Sequence, residues 1–153
     1  MNYWLLKSEP DAFSIDDLYN MPGKKDHWDG IRNYQARNMM RDDMKKGDLA
    51  FFYHSSCAVP AIVGIATIVK EAYDDHTALD PASNYFDPKA SKENPRWCMV
   101  DVKYKKRFKQ PITLKALKEN KKLKDMLLLK KGNRLSIMPV KAAEWKAILA
   151  MAE

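Results

Sequence analysis

The chain has 153 residues, of which 46% are hydrophobic and 31% are charged, and its formal net charge is +7 at pH 7. This length and composition fit one globular domain with a hydrophobic core, and they exclude collagen-like and disordered chains. No apolar stretch reaches the roughly 18 residues of a membrane span, and two cysteines are too few for a disulfide framework. We therefore predict a single domain over residues 1–153, a cytoplasmic location (nuclear if eukaryotic) and no membrane partner.

The first predicted elements are a strand and two helices. Residues 3–7 have the composition of a short strand. Ser14 and Asp17 have the spacing of a capping box, which predicts a short helix that ends before Pro22. Apolar residues at helical spacing predict a second helix over residues 33–44.

The middle of the chain is predicted to be rich in strands. Residues 49–53 and 61–73 are β-rich, and Gly64 in the second run indicates a bulge or a close approach of the backbone. Residues 74–95 contain three prolines and are predicted to form a long loop, which in a compact domain is usually functional or mobile. Apolar and polar residues then alternate over residues 97–108, as in a half-buried strand.

The last third of the chain is predicted to be mainly helical. It contains a lysine-rich helical pair over residues 114–129, a short strand over 135–138 and an amphipathic helix after Pro139. Trp4 and Trp145 fit buried positions of these patterns. Since strands and helices do not alternate regularly, the order favours an α+β fold with a mainly antiparallel, curled sheet.

Positive charge is concentrated in one part of the sequence. Residues 103–131 contain twelve lysines or arginines and two acidic residues, so this segment has a charge of +10 and the rest of the chain −3. Such a basic segment is typical of proteins that bind a polyanion. A solvated lysine-rich face that maintains solubility is the alternative, and charge alone does not decide between them. The lysines proposed for phosphate contacts are Lys121, Lys122, Lys124 and Lys130.

The familiar signatures of catalysis and metal binding are absent from the sequence. His27, His54 and His76 do not have metal-ligand spacing, and no C-x-x-C, P-loop, G-x-S-x-G or G-x-G-x-x-G motif occurs. The HSSC run at residues 54–57 places a nucleophile beside a base, but catalytic triads are assembled in space and adjacent side chains point apart. We interpret this run as the polar rim of a binding pocket.

Several aromatic residues lie in polar, loop-like sequence. These are Trp28, Tyr85, Phe86 and Trp97. Aromatic side chains exposed near basic residues can stack on unpaired bases, and each stack contributes about 1–3 kcal/mol. Alternatively, Trp28 and Trp97 cover the ends of a small barrel.

Four motifs in chain order resemble the EVE domain of the PUA-like superfamily. They are WLLKSEP at residues 4–10, WDGIRNYQAR at 28–37, KGD with FYHS across 46–55, and GNRLS at 132–136. The resemblance covers essentially the whole chain. It implies a PUA-like curled, mainly antiparallel β-barrel wrapped by helices, and a relation to the YTH domains that read methylated adenine.

The resemblance also implies a function and a set of pocket residues. It implies a non-enzymatic module, without cofactor or metal, that recognises modified bases such as methylated or hydroxymethylated cytosine. The expected partner is DNA or RNA that is single-stranded or carries a flipped base, and the protein is expected to be a monomer. The pocket residues implied are Lys7, Ser8, Trp28, Arg32, Asn33, Tyr53, His54, Ser55, Arg134 and Ser136, with Tyr85, Phe86 and Trp97 as alternative further aromatics.

Other interpretations of these residues remain open in the sequence. Arg32 could form a surface ion pair with Asp29, and Asn33 could cap the helix that follows it. The pocket could belong to a small enzyme that acts on a modified nucleoside, with His54 or Lys7 as a base. The lysine-rich helices could instead bind a protein or RNA directly.

Overall fold

One six-stranded sheet organises the chain in the computed structural model, which describes residues 1–152. Its strands are β1 (Tyr3–Ser8), β2 (Lys25–Trp28), β3 (Leu49–His54), β4 (Ala61–Asp74), β5 (Cys98–Thr113) and β6 (Ile137–Val140). Their order in the sheet is β2-β5-β4-β3-β1-β6. β1 pairs with β3 in parallel, and every other neighbouring pair is antiparallel.

The six strands and four helices confirm the α+β prediction, whereas the sheet is open and does not close into the predicted curled β-barrel. The edge strands β2 and β6 have four residues each and do not pair with each other. Helix α2 (Tyr34–Asp42) contacts β4, β5 and β6, and thus packs against strands from both halves of the sheet.

The remaining helices are α1 (Ile15–Tyr19), α3 (Leu114–Glu119) and α4 (Ala142–Met151). The capping box predicted for α1 is present, because Ser14 accepts from the Asp17 backbone N–H and Asp17 accepts from that of Ser14. The predicted lysine-rich helical pair is corrected to α3 and two short 3-10 turns. Asn120 ends α3 in an extended conformation, and its side chain accepts a hydrogen bond from the Lys122 backbone N–H.

Both faces of the sheet are buried against helices. Trp4 and Leu6 of β1 belong to the core that contacts α1 and α2, whereas Leu5 between them belongs to the core beneath α3 and α4. This alternation is the period-two geometry of a strand. Trp145 is buried in the second core against Phe51, with ring centroids 3.8 Å apart, so the core positions predicted for Trp4 and Trp145 are confirmed.

The expectation for Gly64 is also confirmed. The pairing of β4 with β5 shifts register between Ile62 and Gly64, and the Gly64 backbone lies directly against the neighbouring strand.

None of the helices in residues 1–152 combines the length and apolar character that crossing a bilayer requires. Within the same residues, no three His, Cys, Asp or Glu side chains are grouped closely enough to hold a metal ion.

Candidate functional site

A cavity of about 810 Å³ opens where β1 and β3 end. Two shallower depressions of about 330 and 360 Å³ lie elsewhere on the surface. The larger volume lies in the range of pockets that bind small molecules. Its lining residues are Lys7, Ser8, Glu9, Ala12, Phe13, Asp26, His27, Trp28, Asp29, Gly30, Ile31, Ser55, Ser56, Tyr85, Arg134 and Ser136.

The backbone brings three distant segments together at this cavity. Because β1 and β3 are parallel and Ser8 is opposite His54, both strands end at the same edge of the sheet. The Ser55 N–H donates to the Ser8 carbonyl at 2.9 Å, and the Lys7 N–H donates to the Ser136 carbonyl at 2.8 Å. Five predicted pocket residues therefore lie together in the lining: Lys7, Ser8, Ser55, Arg134 and Ser136.

Trp28 contributes only a small surface to the cavity. The residue is 6% exposed, and its ring packs edge-on against Phe52 and Phe13, with centroid distances of 5.4 and 6.3 Å. Most of the indole therefore belongs to the core. Replacing Trp28 would disturb folding as well as the cavity.

Tyr85 is the mid-chain aromatic that lines the cavity. The residue is 41% exposed, and its ring lies so close to Gly30 that a Cβ there would be 2.7 Å from Tyr85 Cε1. Gly30 has a φ of +78°, a conformation that residues with a side chain rarely adopt. Phe86 and Trp97, the two alternatives, do not line the cavity.

Arg32 holds the Tyr85 loop instead of lining the cavity. Its guanidinium donates to the Tyr85 carbonyl from Nε at 3.0 Å and from Nη2 at 2.6 Å. Nη1 donates to Asp75 Oδ2 at 3.0 Å. Arg32 therefore forms its ion pair with Asp75, and not with Asp29 as considered from the sequence. Asp75 also accepts from the Gly30 and Thr77 backbone N–H groups. Burial favours the neutral form of Asp75, but these hydrogen bonds outweigh it and lower the pKa of the carboxyl.

The remaining predicted pocket residues do not line the cavity, and most of them have structural partners elsewhere. Asn33 accepts from the Ala36 N–H at 3.0 Å and caps α2. Tyr53 points into the second core, where burial raises its pKa to about 12. Trp97 is buried, stacks on Tyr34 and donates from Nε1 to Asp87 at 2.7 Å. Phe86 is exposed away from the lining.

Acidic and basic side chains meet on the cavity wall. Burial lowers the pKa of Lys7, since its ammonium loses hydration there. Burial raises the pKa of Asp29, an effect that the nearby His27 partly opposes. His27 lies between two carboxylates, with Nδ1 3.2 Å from Asp26 and Nε2 3.3 Å from Asp29.

Sequence reasoning did not identify the acidic part of this lining. Asp26, His27 and Asp29 flank Trp28 in the run DHWD, which was interpreted only as a polar context for the tryptophan. Their closeness in sequence to Trp28, an aromatic expected in the pocket, was the available signal.

The lysines predicted to contact phosphates lie away from the cavity wall. Lys121, Lys122, Lys124 and Lys130 are exposed, and none of them lines the cavity. Their segment is anchored in the second core through Leu123, Met126 and Leu128. Lys130 is four residues before Arg134, which is exposed and lines the cavity.

His54 makes the stability of the cavity edge dependent on pH. Its Nε2 accepts from the Ile15 N–H at 3.1 Å, and burial lowers its pKa from 6.5. The unfolded chain therefore binds this proton more readily, so the contribution of His54 to stability is lost progressively as pH falls below about 6.5 toward its lower pKa in the folded state. We expect Tm to fall less between neutral and mildly acidic pH in His54→Gln than in the wild type. Equal falls in the two proteins, measured by thermal denaturation, would contradict this assignment.

Comparison with known proteins identifies the family. The sequence pattern of the EVE domain matches residues 2–151. Thymocyte nuclear protein 1 of Homo sapiens is 42% identical over 169 residues, covering 99% of this chain and 74% of that protein. A Pseudomonas syringae protein of known structure is 54% identical with a TM-score of 0.93, and the alignment covers 99% of both chains. Human THYN1 protein, whose structure is known in complex with DNA containing 5-methylcytosine, is 42% identical in sequence to this chain. The two structures align with a TM-score of 0.95 over 100% of this chain and 98% of that one. The chain belongs to the EVE domain family.

Proposed function

We propose that this protein is a non-enzymatic reader of modified bases in DNA, and that its cavity holds a single 5-methylcytosine base. The observation that carries the proposal is the complex of human THYN1 protein with DNA containing 5-methylcytosine, since that chain is similar over its whole length. The open cavity, with the exposed Tyr85 ring on its wall, supports the same function.

The energetics favour a base that is already unpaired or easily extruded. Extrusion from a duplex costs a few kcal/mol. Stacking on Tyr85 returns about 1–3 kcal/mol, and each hydrogen bond to the base edge returns about 1 kcal/mol. The gains from stacking and hydrogen bonding nearly cancel the cost of extrusion, so net affinity requires contacts to the phosphates. A single strand, as expected from the sequence, avoids the cost of extrusion.

Selectivity for the methyl group requires a shaped niche. Burial of one methyl group is worth only about 0.8 kcal/mol, which corresponds to about a fourfold change in affinity. Ala12, Phe13 and Ile31 supply apolar surface to the lining. A pocket that leaves a void when cytosine lacks its methyl group would increase the discrimination beyond fourfold.

The same geometry disfavours the enzymatic alternative. His54 was one candidate base, but its Nε2 accepts the Ile15 N–H and the residue does not line the cavity. Lys7, the other candidate, lines the cavity, but no hydrogen bond from its side chain to another residue orients it within residues 1–152. Incubation of modified nucleosides with the protein, followed by mass analysis, should return them unchanged. A new product would contradict the proposal.

Tyr85→Ala is expected to weaken binding to a single-stranded oligonucleotide with one 5-methylcytosine by about 1–3 kcal/mol, because it removes the exposed stacking ring. Fluorescence anisotropy gives the dissociation constants. Phe86→Ala is the matched control, since Phe86 is the next residue, is 40% exposed and does not line the cavity. Equal losses in the two variants would show that Tyr85 is not the stacking surface.

For the phosphates, we propose that Arg134 acts at the cavity mouth and that Lys121, Lys122, Lys124 and Lys130 contact the strand beyond it. Neutralising the first three lysines together should reduce the log–log salt dependence by about 2 on a long single strand. A short strand that fills only the cavity should keep its salt dependence. An unchanged slope on the long strand would show that these lysines serve only solubility.

A further inference from the structure

Asp29 is a carboxylate on the cavity wall with few partners of its own. It follows Trp28 at the end of β2, and its side chain is 25% exposed. In residues 1–152 its ion-pair contact is the one at 3.3 Å between Oδ2 and His27 Nε2, and its own backbone N–H also favours the ionised carboxyl. The carboxyl therefore keeps acceptor capacity for a molecule in the cavity.

The other acidic residues near the cavity have other bonding partners or lie exposed at its rim. Asp26 Oδ1 accepts from the His27 backbone N–H at 2.8 Å and lies 3.2 Å from His27 Nδ1. The Asp75 side chain is fully buried and already accepts hydrogen bonds from Arg32, Gly30 and Thr77. Glu9 is exposed at the rim. Asp29 immediately precedes Gly30, which lies against the Tyr85 ring, so it is the partly buried acidic residue of the lining nearest in the chain to the proposed stacking surface.

The pyrimidines differ in what they offer to such an acceptor. Cytosine presents an exocyclic amino group, N4, which donates to Asp or Glu, whereas thymine presents the acceptor O4 in the same place. 5-Methylcytosine and thymine carry the same 5-methyl group, so apolar contact with that methyl cannot distinguish them. Discrimination between the two must come from polar groups opposite position 4, or opposite N3, which is an acceptor in cytosine and an N–H donor in thymine.

We propose that the Asp29 carboxylate accepts a hydrogen bond from the exocyclic amino group of the base in the cavity, and that the cavity thereby selects 5-methylcytosine over thymine. This inference rests on the proposed function. A carboxylate opposite O4 of thymine would place two acceptors against each other and leave both unsatisfied. Burial raises the pKa of Asp29, which indicates lost hydration that a donor from the base would replace.

The test compares three single strands that differ only at one position, carrying 5-methylcytosine, thymine or 5-methylpyrimidin-2-one. The last base lacks the amino group but keeps N3 and O2. The wild type is expected to bind 5-methylcytosine about tenfold more tightly than either of the others. This measurement uses the unaltered protein, so it does not depend on how a variant folds.

Asp29→Asn supplies the second arm, because an amide can accept from N4 of cytosine and also donate to O4 of thymine. The preference for 5-methylcytosine over thymine should fall from about tenfold to within about twofold. Asp11→Asn is the matched control, since it makes the same charge change at an exposed residue that does not line the cavity, and it should keep the preference.

The outcomes separate the inference from the proposed function. Equal wild-type affinity for the three strands, or an unchanged preference in a folded Asp29→Asn, would overturn the role of Asp29. Provided that Tyr85→Ala still weakens binding, the proposed function would then stand. If the wild type binds none of the strands, or if Tyr85→Ala has no effect, the proposed function itself fails.

Discussion

Asp75→Ala is expected to lower the free energy of unfolding by about 3 kcal/mol, because it leaves the Arg32 guanidinium and the Gly30 N–H without their partner. Asp75 is fully buried, while the Arg32 side chain is 23% exposed, which places the expected loss at the lower end for buried ion pairs. Chemical denaturation measures the effect. Since Arg32 also holds the Tyr85 carbonyl, the folded variant should bind the methylated oligonucleotide more weakly.

Asp74→Ala is the control for this prediction. Asp74 is the preceding residue at the end of β4 and is exposed, so its replacement should change stability by at most about 0.5 kcal/mol. Equal destabilisation by the two substitutions would show that the buried Arg32–Asp75 network does not hold the loop. Normal oligonucleotide binding by folded Asp75→Ala would contradict its proposed link to Tyr85.

Gly64→Ala is expected to destabilise the protein by about 3 kcal/mol or more, because the added methyl group has no space. A Cβ at Gly64 would lie 2.2 Å from the Lys106 carbonyl oxygen and 2.3 Å from Ile15 Cδ1. The first is backbone of β5 and the second is core of α1, so relief requires strand and helix to move apart. Denaturant titration at neutral pH measures the loss.

Gly47→Ala separates this clash from the ordinary cost of replacing glycine. Gly47 has a φ of +96° and no atom within 4 Å of an added Cβ, so only conformational strain of about 1–2 kcal/mol is expected. A smaller loss in Gly64→Ala than in Gly47→Ala would contradict the close packing of α1 on β4 and β5.

Local patterns in the sequence predicted much of the fold. The capping box of Ser14 and Asp17, the alternation along β5 and the tight position of Gly64 depend on residues near in sequence, and all are present. Strand β2 was not predicted, because three of its four residues are polar and its pairing is with distant β5. Sheet closure likewise depends on how distant edges meet, which no local pattern encodes.

The candidate site was predictable where residues follow strand ends. Lys7, Ser8 and Ser55 could be expected to lie together from the resemblance, and the cavity lining contains all three. Tyr53 was predicted to line the pocket but lies in the second core. Period-two alternation with buried Phe52 already directs it to that opposite face. The position of Tyr85 depends on a contact with Gly30 across 55 residues, beyond the reach of a sequence pattern.

The proposed function requires that a single base occupies the cavity at the ends of β1 and β3. The most direct test is an NMR titration of the isotope-labelled protein with a single strand that carries one 5-methylcytosine. We expect the strongest chemical-shift changes on the backbone amides of Gly30, Ser55, Tyr85 and Ser136, which line the cavity. Changes confined to residues 115–130, with the cavity amides unmoved, would contradict it.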